Sequence, residues 1–386
     1  MRKKGLLILM ISALALSACG TNNASNDSDY LSSQQNTSIS SDSATSNSYG
    51  ENMQYIKSNA DYYGNGVIFG NDAAYFLDFD SMEKAPLCAV PNCTHDNSGC
   101  LAHTIGNTPI MYNNNIYYFN AITGVNEKSD GREFYIDSKF MKATIDSSET
   151  ETITEFTDCM PCQPSCFLLA GNEVFFTADD MCPVQDEYGV ISYSNTGGTH
   201  FLCSINLDTG EYTNYGSVYD GDKEYEFSQN SSGANITGYY NGKMYIQYVF
   251  MKEDPTTLGI PAEENWTEVN FEFDTESKEL LESELPVAMY ASDDIYAYLD
   301  DDSKQTIVIT PDKTYTVPHY DLMSTSARVI NDKIFFYDEW YDLSNMSRHG
   351  YGAYEGYEAV AYYNDSYIFI NGGRNAKLTE EELQSL

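Results

Sequence analysis

The sequence is poor in positively charged residues. Its 386 residues contain 20 Lys and Arg against 58 Asp and Glu, so the formal net charge is −38. A surface this acidic repels phosphate groups, and nucleic acid is therefore not expected as a partner. Docking on anionic lipid through a basic patch is excluded for the same reason.

Long apolar runs and familiar catalytic motifs are also missing. After residue 18, no apolar stretch approaches the ~18 residues that a membrane-spanning helix needs. The chain has no Gly-x-Ser-x-Gly elbow, no His-Glu-x-x-His zinc motif and no phosphate-cradling glycine-rich loop. His200, His319 and His349 are isolated in the sequence and are interpreted as satisfied polar residues rather than catalysts.

Residues 1–18 are typical of an export signal. A basic start is followed by a short apolar core and small residues, and the run Leu16-Ser17-Ala18-Cys19 resembles a bacterial lipobox. The resemblance implies cleavage before Cys19 and acylation of its sulfur, with membrane lipid as a partner. The expected location is the extracytoplasmic face of the bacterial cell membrane, where acyl chains hold the protein without a spanning helix.

Residues 19–54 carry that lipidated cysteine and are predicted to be a disordered tether. Ser, Asn, Thr, Asp and Gln dominate the segment, and no Lys or Arg lies between Lys4 and Lys57. Such a composition buries too little apolar surface to offset its chain entropy. The tether has a root-mean-square reach of roughly 30–35 Å.

Residues 55–386 contain a short pattern that recurs seven times. Each instance is a polar turn with Asn, Asp or Gly, followed by a strand-like run such as Ile-Tyr-Tyr-Phe. The instances lie at 64–69, 114–119, 171–176, 241–246, 293–298, 331–336 and 364–369. An alternating strand and a hairpin usually follow, as at 201–211 and 271–276. The repeat predicts an all-β chain: a β-propeller of six to seven four-stranded blades.

A resemblance strengthens this prediction. Val174–Asp179 and Ile334–Asp338 resemble the second blade strand of YWTD-type (low-density-lipoprotein-receptor-like) and TolB-like propellers. Together with the lipobox, the tether and the Leu-Cys-x4-Cys-x-His motif that starts at Leu87, the chain resembles propeller lipoproteins of Gram-positive bacteria. The resemblance implies a fold and no mechanism.

The cysteines are expected to gather on one face. If the recurring run is the second strand (B) of each blade, the B–C connections at 120–133, 178–199 and 249–267 are unusually long loops. They emerge on the same face as the connections between blades. Seven of the eight cysteines beyond Cys19 then lie on that face, and Cys203 lies in a strand. The eight are Cys88, Cys93, Cys100, Cys159, Cys162, Cys166, Cys182 and Cys203.

Two chemical interpretations of these cysteines compete. An exported chain with eight remaining cysteines favours disulfides, whose pairing the sequence does not define. The alternative is a metal: Cys88, Cys93, His95 and Cys100 offer three thiolates and an imidazole, a set suited to zinc or another soft ion. No other cofactor is expected.

The predicted function is that of a binding module rather than an enzyme. The ligand, whether a glycan, a peptide or another envelope protein, would sit on the face that bears the cysteines and the long loops. Two alternatives stay open: a hydrolase or lyase acting on the cell envelope or on polysaccharide, and a Cys/His metal-binding protein.

Overall fold

The computed structural model describes residues 53–386 except for short gaps, and in part of the strands it describes the backbone only. The gaps are residues 58–59, 64, 71–72, 89, 91, 97–99, 106–108, 114, 129–130, 145–148, 157–159, 162–165, 180–181, 186–190, 195–199, 219–231, 252–265, 293, 321–326 and 372–373. Within this described part, no helix is long and apolar enough to cross a membrane.

The chain forms a β-propeller of seven blades, which confirms the predicted fold class. In each blade the strands follow one another in antiparallel order, from strand A at the central axis outwards. Blade 1 contains β2 (Ala60–Tyr63), β3 (Gly66–Gly70), β4 (Ala74–Asp78) and β5 (Lys84–Pro86), and blade 2 contains β6 (Ile110–Tyr112), β7 (Asn115–Lys128), β8 (Gly131–Thr144) and β9 (Thr150–Phe156). Blade 3 contains β11 (Cys166–Ala170), β12 (Glu173–Asp179), β15 (His200–Asn206) and β16 (Tyr212–Ser217). Blade 4 contains β17 (Ser232–Tyr240), β18 (Lys243–Met251), β19 (Trp266–Asp274) and β20 (Leu280–Glu282).

The remaining blades continue the pattern, and the last is shorter. Blade 5 contains β21 (Ala288–Ser292), β22 (Ile295–Asp300), β23 (Gln305–Ile309) and β24 (Thr314–Val317). Blade 6 contains β25 (Arg328–Ile330), β26 (Lys333–Phe335), β27 (Glu339–Asp342) and β28 (Ser347–Gly350). Blade 7 contains β29 (Glu358–Tyr363), β30 (Ser366–Asn371) and β31 (Arg374–Thr379). Outside the blades lie β1 (Met53–Lys57), β10 (Met160–Pro161), β13 (Cys182–Gln185), β14 (Ile191–Ser194), α1 (Leu101–Ile105), a 3-10 turn (Gly352–Tyr354) and α2 (Glu380–Gln384).

All seven copies of the recurring pattern form strand B of their blades, as the sequence predicts. The polar residues before strand B make a tight A–B turn that needs left-handed backbone. In blade 4, Asn241 and Gly242 have φ of 51° and 81°, and in blade 7, Asn364 and Asp365 have φ of 46° and 57°. Two successive positive φ angles are the mark of the two-residue hairpin turn that matches strand twist.

The core is divided among the seven interfaces between neighbouring blades. Each interface has its own cluster of buried apolar side chains, largely aromatic and β-branched. Trp340 is fully buried in the cluster between blades 6 and 7. Tyr and Phe side chains fill much of the space between blades.

The ring closes by packing between blades 7 and 1. Val67, Leu77 and Phe79 of blade 1 pack with Ile368 and Ile370 of blade 7. Hydrogen bonds cross the same seam, from Tyr363 Oη to Asp80 at 3.1 Å and from Lys377 Nζ to the Phe79 carbonyl at 3.0 Å, among others. Among the described strands, none of blade 1 pairs with a strand of blade 7.

The predicted B–C loops are only partly loops. In blade 2, β7 and β8 continue as a paired ribbon out to Lys128 and Gly131, so the predicted loop at 120–133 is wrong. In blade 3, β13 and β14 form a hairpin of their own within 178–199, and Cys182 opens a strand there instead of lying in an irregular loop. Most of the third predicted loop, 252–265, lies outside the described residues.

A glycine in β17 allows blades 4 and 5 to approach closely. A Cβ at Gly238 would lie 2.5 Å from the Ala291 Cβ and 2.9 Å from the Ala291 oxygen. We expect Gly238→Ala to lower the free energy of unfolding by about 1–3 kcal/mol, because overpacking forces the two strands apart. Denaturant titration measures this change. Gly233→Ala in the same strand is the control, since no atom lies within 4 Å of its added Cβ; an equal loss in both variants would contradict the packing argument.

Candidate metal centre

The segment 87–109 joins the outer strand of blade 1 to the inner strand of blade 2 and contains α1. It brings together Cys88, Cys93, His95 and Cys100, here called the Cys/His cluster. One sulfur or ring nitrogen from each of the four lies within 4.8 Å of all the others. The structure thus assembles the four residues that the sequence singles out as metal ligands.

A tight turn directs Cys93 and His95 to the same point. Asn92 and His95 both have left-handed backbone, with φ of 58° and 59°, and the Cys93 amide donates to the Val90 carbonyl at 3.3 Å. Asn and His are among the residues other than glycine that adopt this conformation most readily. The backbone N–H of His95 donates to the Cys93 sulfur and lowers the pKa of Cys93, although burial works in the opposite direction.

Cys100 occupies the position immediately before α1. Its carbonyl accepts the Thr104 amide at 2.9 Å, which closes the first helical turn. Its side chain is fully buried, and burial raises the pKa of the Cys100 thiol to about 11, against a hydrogen bond from the His103 backbone. His95 Nδ1 lies 3.3 Å from the Cys100 sulfur. A bound cation would expel the proton from this thiol, because thiolate is the metal ligand.

The donor set fits a closed tetrahedral site. Three sulfurs and one imidazole nitrogen are one of the ligand sets of structural zinc, with Zn–S bonds of about 2.3 Å. Tetrahedral geometry then separates the sulfurs by roughly 3.8 Å. The observed spread of at most 4.8 Å needs only a small contraction to reach it. Four protein ligands fill the tetrahedron, so the arrangement suits a structural ion and leaves no position for substrate.

The cluster sits against the apolar core between blades 1 and 2. Cys100, Ala102 and Ile105 belong to this core together with Ala74 of blade 1 and Ile116 of blade 2. The half-buried Cys88 and Cys93 pack on its edge. An ion held here would therefore fasten the connection to both blades.

The other cysteines do not join this cluster in the described part of the chain. Cys88, Cys93 and Cys100 are thiols, without disulfide bonds. Cys203 is buried between blades 2 and 3, where its sulfur lies 3.3 Å from the Tyr212 hydroxyl. Cys159 and Cys162 lie outside the described residues, and Cys166 and Cys182 are described by backbone only, at the start of β11 and β13. Disulfide bonds that involve Cys159, Cys162, Cys166 or Cys182 stay a prediction.

Two buried histidines, each paired with a carboxylate, lie on the same face, and no sequence motif marks these pairs. Strand register places Asp179 at the end of β12 directly opposite His200 at the start of β15, and the two are hydrogen-bonded. His319, after β24, lies with Nδ1 2.8 Å from Glu339 at the start of β27. The sequence feature that could have identified both pairs is the position of each acid, next to the B–C connection of its blade. Each histidine bonds to its carboxylate through Nδ1, as predicted for a structural polar residue, but His319 Nε2 is buried without a hydrogen-bond partner among the described residues.

Glu339 is the centre of the second pair. Besides His319, it accepts the Tyr341 hydroxyl at 2.8 Å and the Arg348 guanidinium. Burial works to raise the pKa of Glu339, but the hydrogen bonds from His319, Tyr341 and Arg348 outweigh it and hold the pKa below its usual value. The carboxylate is thus stabilised in its ionised form.

The lowered pKa predicts a pH-dependent contribution to stability. A depressed folded pKa contributes stability above the unfolded value of about 4.3, and this is lost as the pH falls through the folded pKa. We expect Glu339→Gln to reduce the free energy of unfolding by about 1–3 kcal/mol at pH 7. The deficit relative to the parent should shrink below about pH 4.3. Urea titrations at pH 7 and pH 3.5 measure both values.

Glu358→Gln provides the control for this prediction. Glu358 is 53% exposed and pairs with Arg328 at 3.0 Å. Its loss should cost less than about 1 kcal/mol at either pH, as for other exposed ion pairs. A Glu339→Gln deficit that persists unchanged at pH 3.5 would contradict the assignment.

Comparisons with known proteins identify no family for this chain. No family model matches the chain, and no curated protein matches it. Solved structures similar to it include an acylaminoacyl peptidase (TM-score 0.38, 12% identity, 68% of this chain), of whose length the chain spans 42%. It is also similar to an oligogalacturonate lyase (TM-score 0.30, 9% identity, 82% of this chain and 75% of the lyase). A third is TolB from Acinetobacter baumannii (TM-score 0.27, 10% identity, 87% of this chain and 65% of TolB).

Proposed function

We propose that this chain is a lipid-anchored extracytoplasmic protein of a bacterial cell membrane. Its propeller acts as a binding module and carries one structural soft-metal ion, zinc being the best fit, in the Cys/His cluster. The observation that carries the metal assignment is the convergence of three sulfurs and an imidazole within 4.8 Å. The ion stiffens a connection on the face where the B–C and blade-to-blade connections emerge, and that face is the one proposed to bind the ligand.

The chemistry of this face favours binding over hydrolysis. The closed donor set offers no coordination position for a substrate or for an activated water. The half-buried carboxylate of Asp179 and the buried carboxylate of Glu339, on the same face, are each hydrogen-bonded to a histidine. A glycan, a peptide or an envelope protein is the proposed ligand, and the high negative charge disfavours acidic partners.

Native mass spectrometry of the full-length chain tests the metal. The protein is purified without reductant, chelator or affinity-column metal. We expect one ion, which adds roughly 60 Da and is lost on acidification. In denaturing conditions, a mass lower by about 2 Da for each bridge that involves Cys88, Cys93 or Cys100, with no bound ion, would overturn the proposal.

Two histidine variants sharpen the test. His95→Gln removes a proposed ligand and should lower zinc affinity by at least about 10–100-fold in a competition titration with a chromogenic chelator. His103→Gln changes an exposed residue in α1 whose ring is not among the four donors, and it should bind zinc as the parent does. Equal affinity of the two variants would contradict the proposed ligand set.

The anchor is tested separately. In bacteria fed a radiolabelled fatty acid, the parent should incorporate label and sediment with membranes. Cys19→Ser should incorporate no label, because its hydroxyl does not replace the thiol as the site of lipid attachment. Equal labelling of the parent and of Cys19→Ser, or no labelling of the parent, would contradict lipid anchoring.

A further inference from the structure

The first described strand, β1, lies inside the propeller ring. It pairs with β11, strand A of blade 3, over five consecutive residues from Met53 opposite Ala170 to Lys57 opposite Cys166. Strand A is the innermost strand of its blade, since the A strands of neighbouring blades contact one another around the axis. β1 also contacts β2, strand A of blade 1. It therefore occupies the central channel.

The direction of β1 follows from its register. The B–C and blade-to-blade connections emerge on one face, here called the loop face, and the A–B and C–D turns on the other, here called the hairpin face. Strand A runs from the loop face to the hairpin face, and β1 is antiparallel to it. Met53 lies beside the end of β11, next to the A–B turn at 171–172, and Lys57 lies at the loop face, where a two-residue link leads to β2.

We propose that β1 is a channel-threading strand that fixes where the tether leaves the propeller. The chain preceding Met53 exits on the hairpin face, opposite the Cys/His cluster. Where Cys19 is lipidated, which rests on the proposed function, the loop face is then turned away from the anchor and towards partners beyond the membrane. β1 also covers the inner edge of blade 3 with backbone hydrogen bonds, so that edge is not free to pair with another strand.

Site-specific photo-crosslinking tests the exit. A benzoylphenylalanine residue is placed at Asn52, just before β1, or at Ser58, just after it, in the full-length chain. Asn52 should crosslink to the A–B turns of blades 3 and 4, at 171–172 and 241–242. Ser58 is the matched control and should crosslink to the loop-face segments 87–109 or 157–165. Crosslinks from both positions to the same face would overturn the proposal.

Engineered cysteines test the register. Directly opposed residues of antiparallel strands have Cα atoms about 4.5–5.5 Å apart, within the range of a disulfide. Met53→Cys combined with Ala170→Cys should therefore crosslink on mild oxidation. Met53→Cys alone should not pair with Cys166, which lies four positions along β11. Absence of the first disulfide in a protein that stays folded would overturn the threading.

These tests are independent of the metal and of the lipid. Neither crosslinking nor oxidation of the engineered pair requires a bound ion or an acylated Cys19. A chain that fails to bind zinc or to incorporate fatty acid can therefore still confirm the threaded strand. Equally, a chain that binds zinc and incorporates fatty acid can still show that β1 does not thread the channel.

Discussion

Chelation of zinc from the folded protein is expected to lower its thermal unfolding midpoint by roughly 6 to 10 °C. An ion that binds only the native state adds about 4 kcal/mol when its free concentration is 1,000 times the dissociation constant. In this chain the ion would bridge the connection between blades 1 and 2, which unfolding must separate. Differential scanning calorimetry at buffered free zinc, and again with excess chelator, measures the shift under reducing conditions.

Two variants test whether the shift in the unfolding midpoint comes from an ion in the Cys/His cluster. Cys100→Ser removes the buried ligand and should unfold at nearly the same temperature with and without zinc. Cys203→Ala removes a buried thiol from the core between blades 2 and 3, far from the cluster in sequence, and should keep the full zinc dependence even if its midpoint is lower. If the unmodified protein is shown to lose its zinc and its unfolding midpoint does not change, the result would contradict a structural role for the ion.

Replacement of Lys333 by Met is expected to cost about 3 kcal/mol of unfolding free energy. The Lys333 side chain is only 2% exposed, yet its Nζ lies 2.9 Å from Asp332 and 3.0 Å from Glu380 of α2. Burial works to lower the pKa of Lys333, but its hydrogen bonds to Asp332 and Glu380 outweigh this and raise the pKa. Removing the cation leaves buried Asp342, 3.9 Å away, without its compensating charge.

Lys142→Met is the matched control for this loss. Lys142 makes an equally short ion pair, 2.7 Å to Glu151, but the two side chains are 31% and 58% exposed. Its replacement should cost less than about 1 kcal/mol, since water screens the pair. Adding Asp342→Asn to Lys333→Met should recover part of the loss, because it removes the unpaired acid. Equal costs for the two lysine variants in denaturant titration would contradict the role of burial.

The blade pattern could be predicted because it depends on local chemistry. The A–B turn requires positive φ, so Asn, Asp and Gly precede strand B, and Asn241, Asn331 and Asn364 all adopt it. The strand that follows is covered by a blade on each side and is therefore a continuous apolar run. The capping box of α2, formed by Thr379 and Glu382, likewise depends only on residues close in sequence.

Features that depend on contacts between residues far apart in the sequence could not be predicted from local patterns. Whether the cysteines at 88, 93 and 100 pair with one another or converge on an ion depends on how the turn at 92–95 folds back, which spacing alone does not define. The B–C connection of blade 2 looked like a loop because Asn120–Glu133 is polar, yet a paired ribbon tolerates polar residues when it extends beyond the core. β1 carries no signal that distinguishes blade 3 from any other partner.

The closure between blades 7 and 1 has a kinetic consequence. Tyr363 and Asp80, which meet across it, are 283 residues apart in the chain. During synthesis from the N-terminus, blade 1 emerges first, and its apolar flank of Val67, Leu77 and Phe79 stays uncovered until the last blade is made. Contacts this distant form slowly, and uncovered strand surface invites aggregation. The late docking of blade 7 is therefore expected to be the step before which the folding chain is most prone to aggregate.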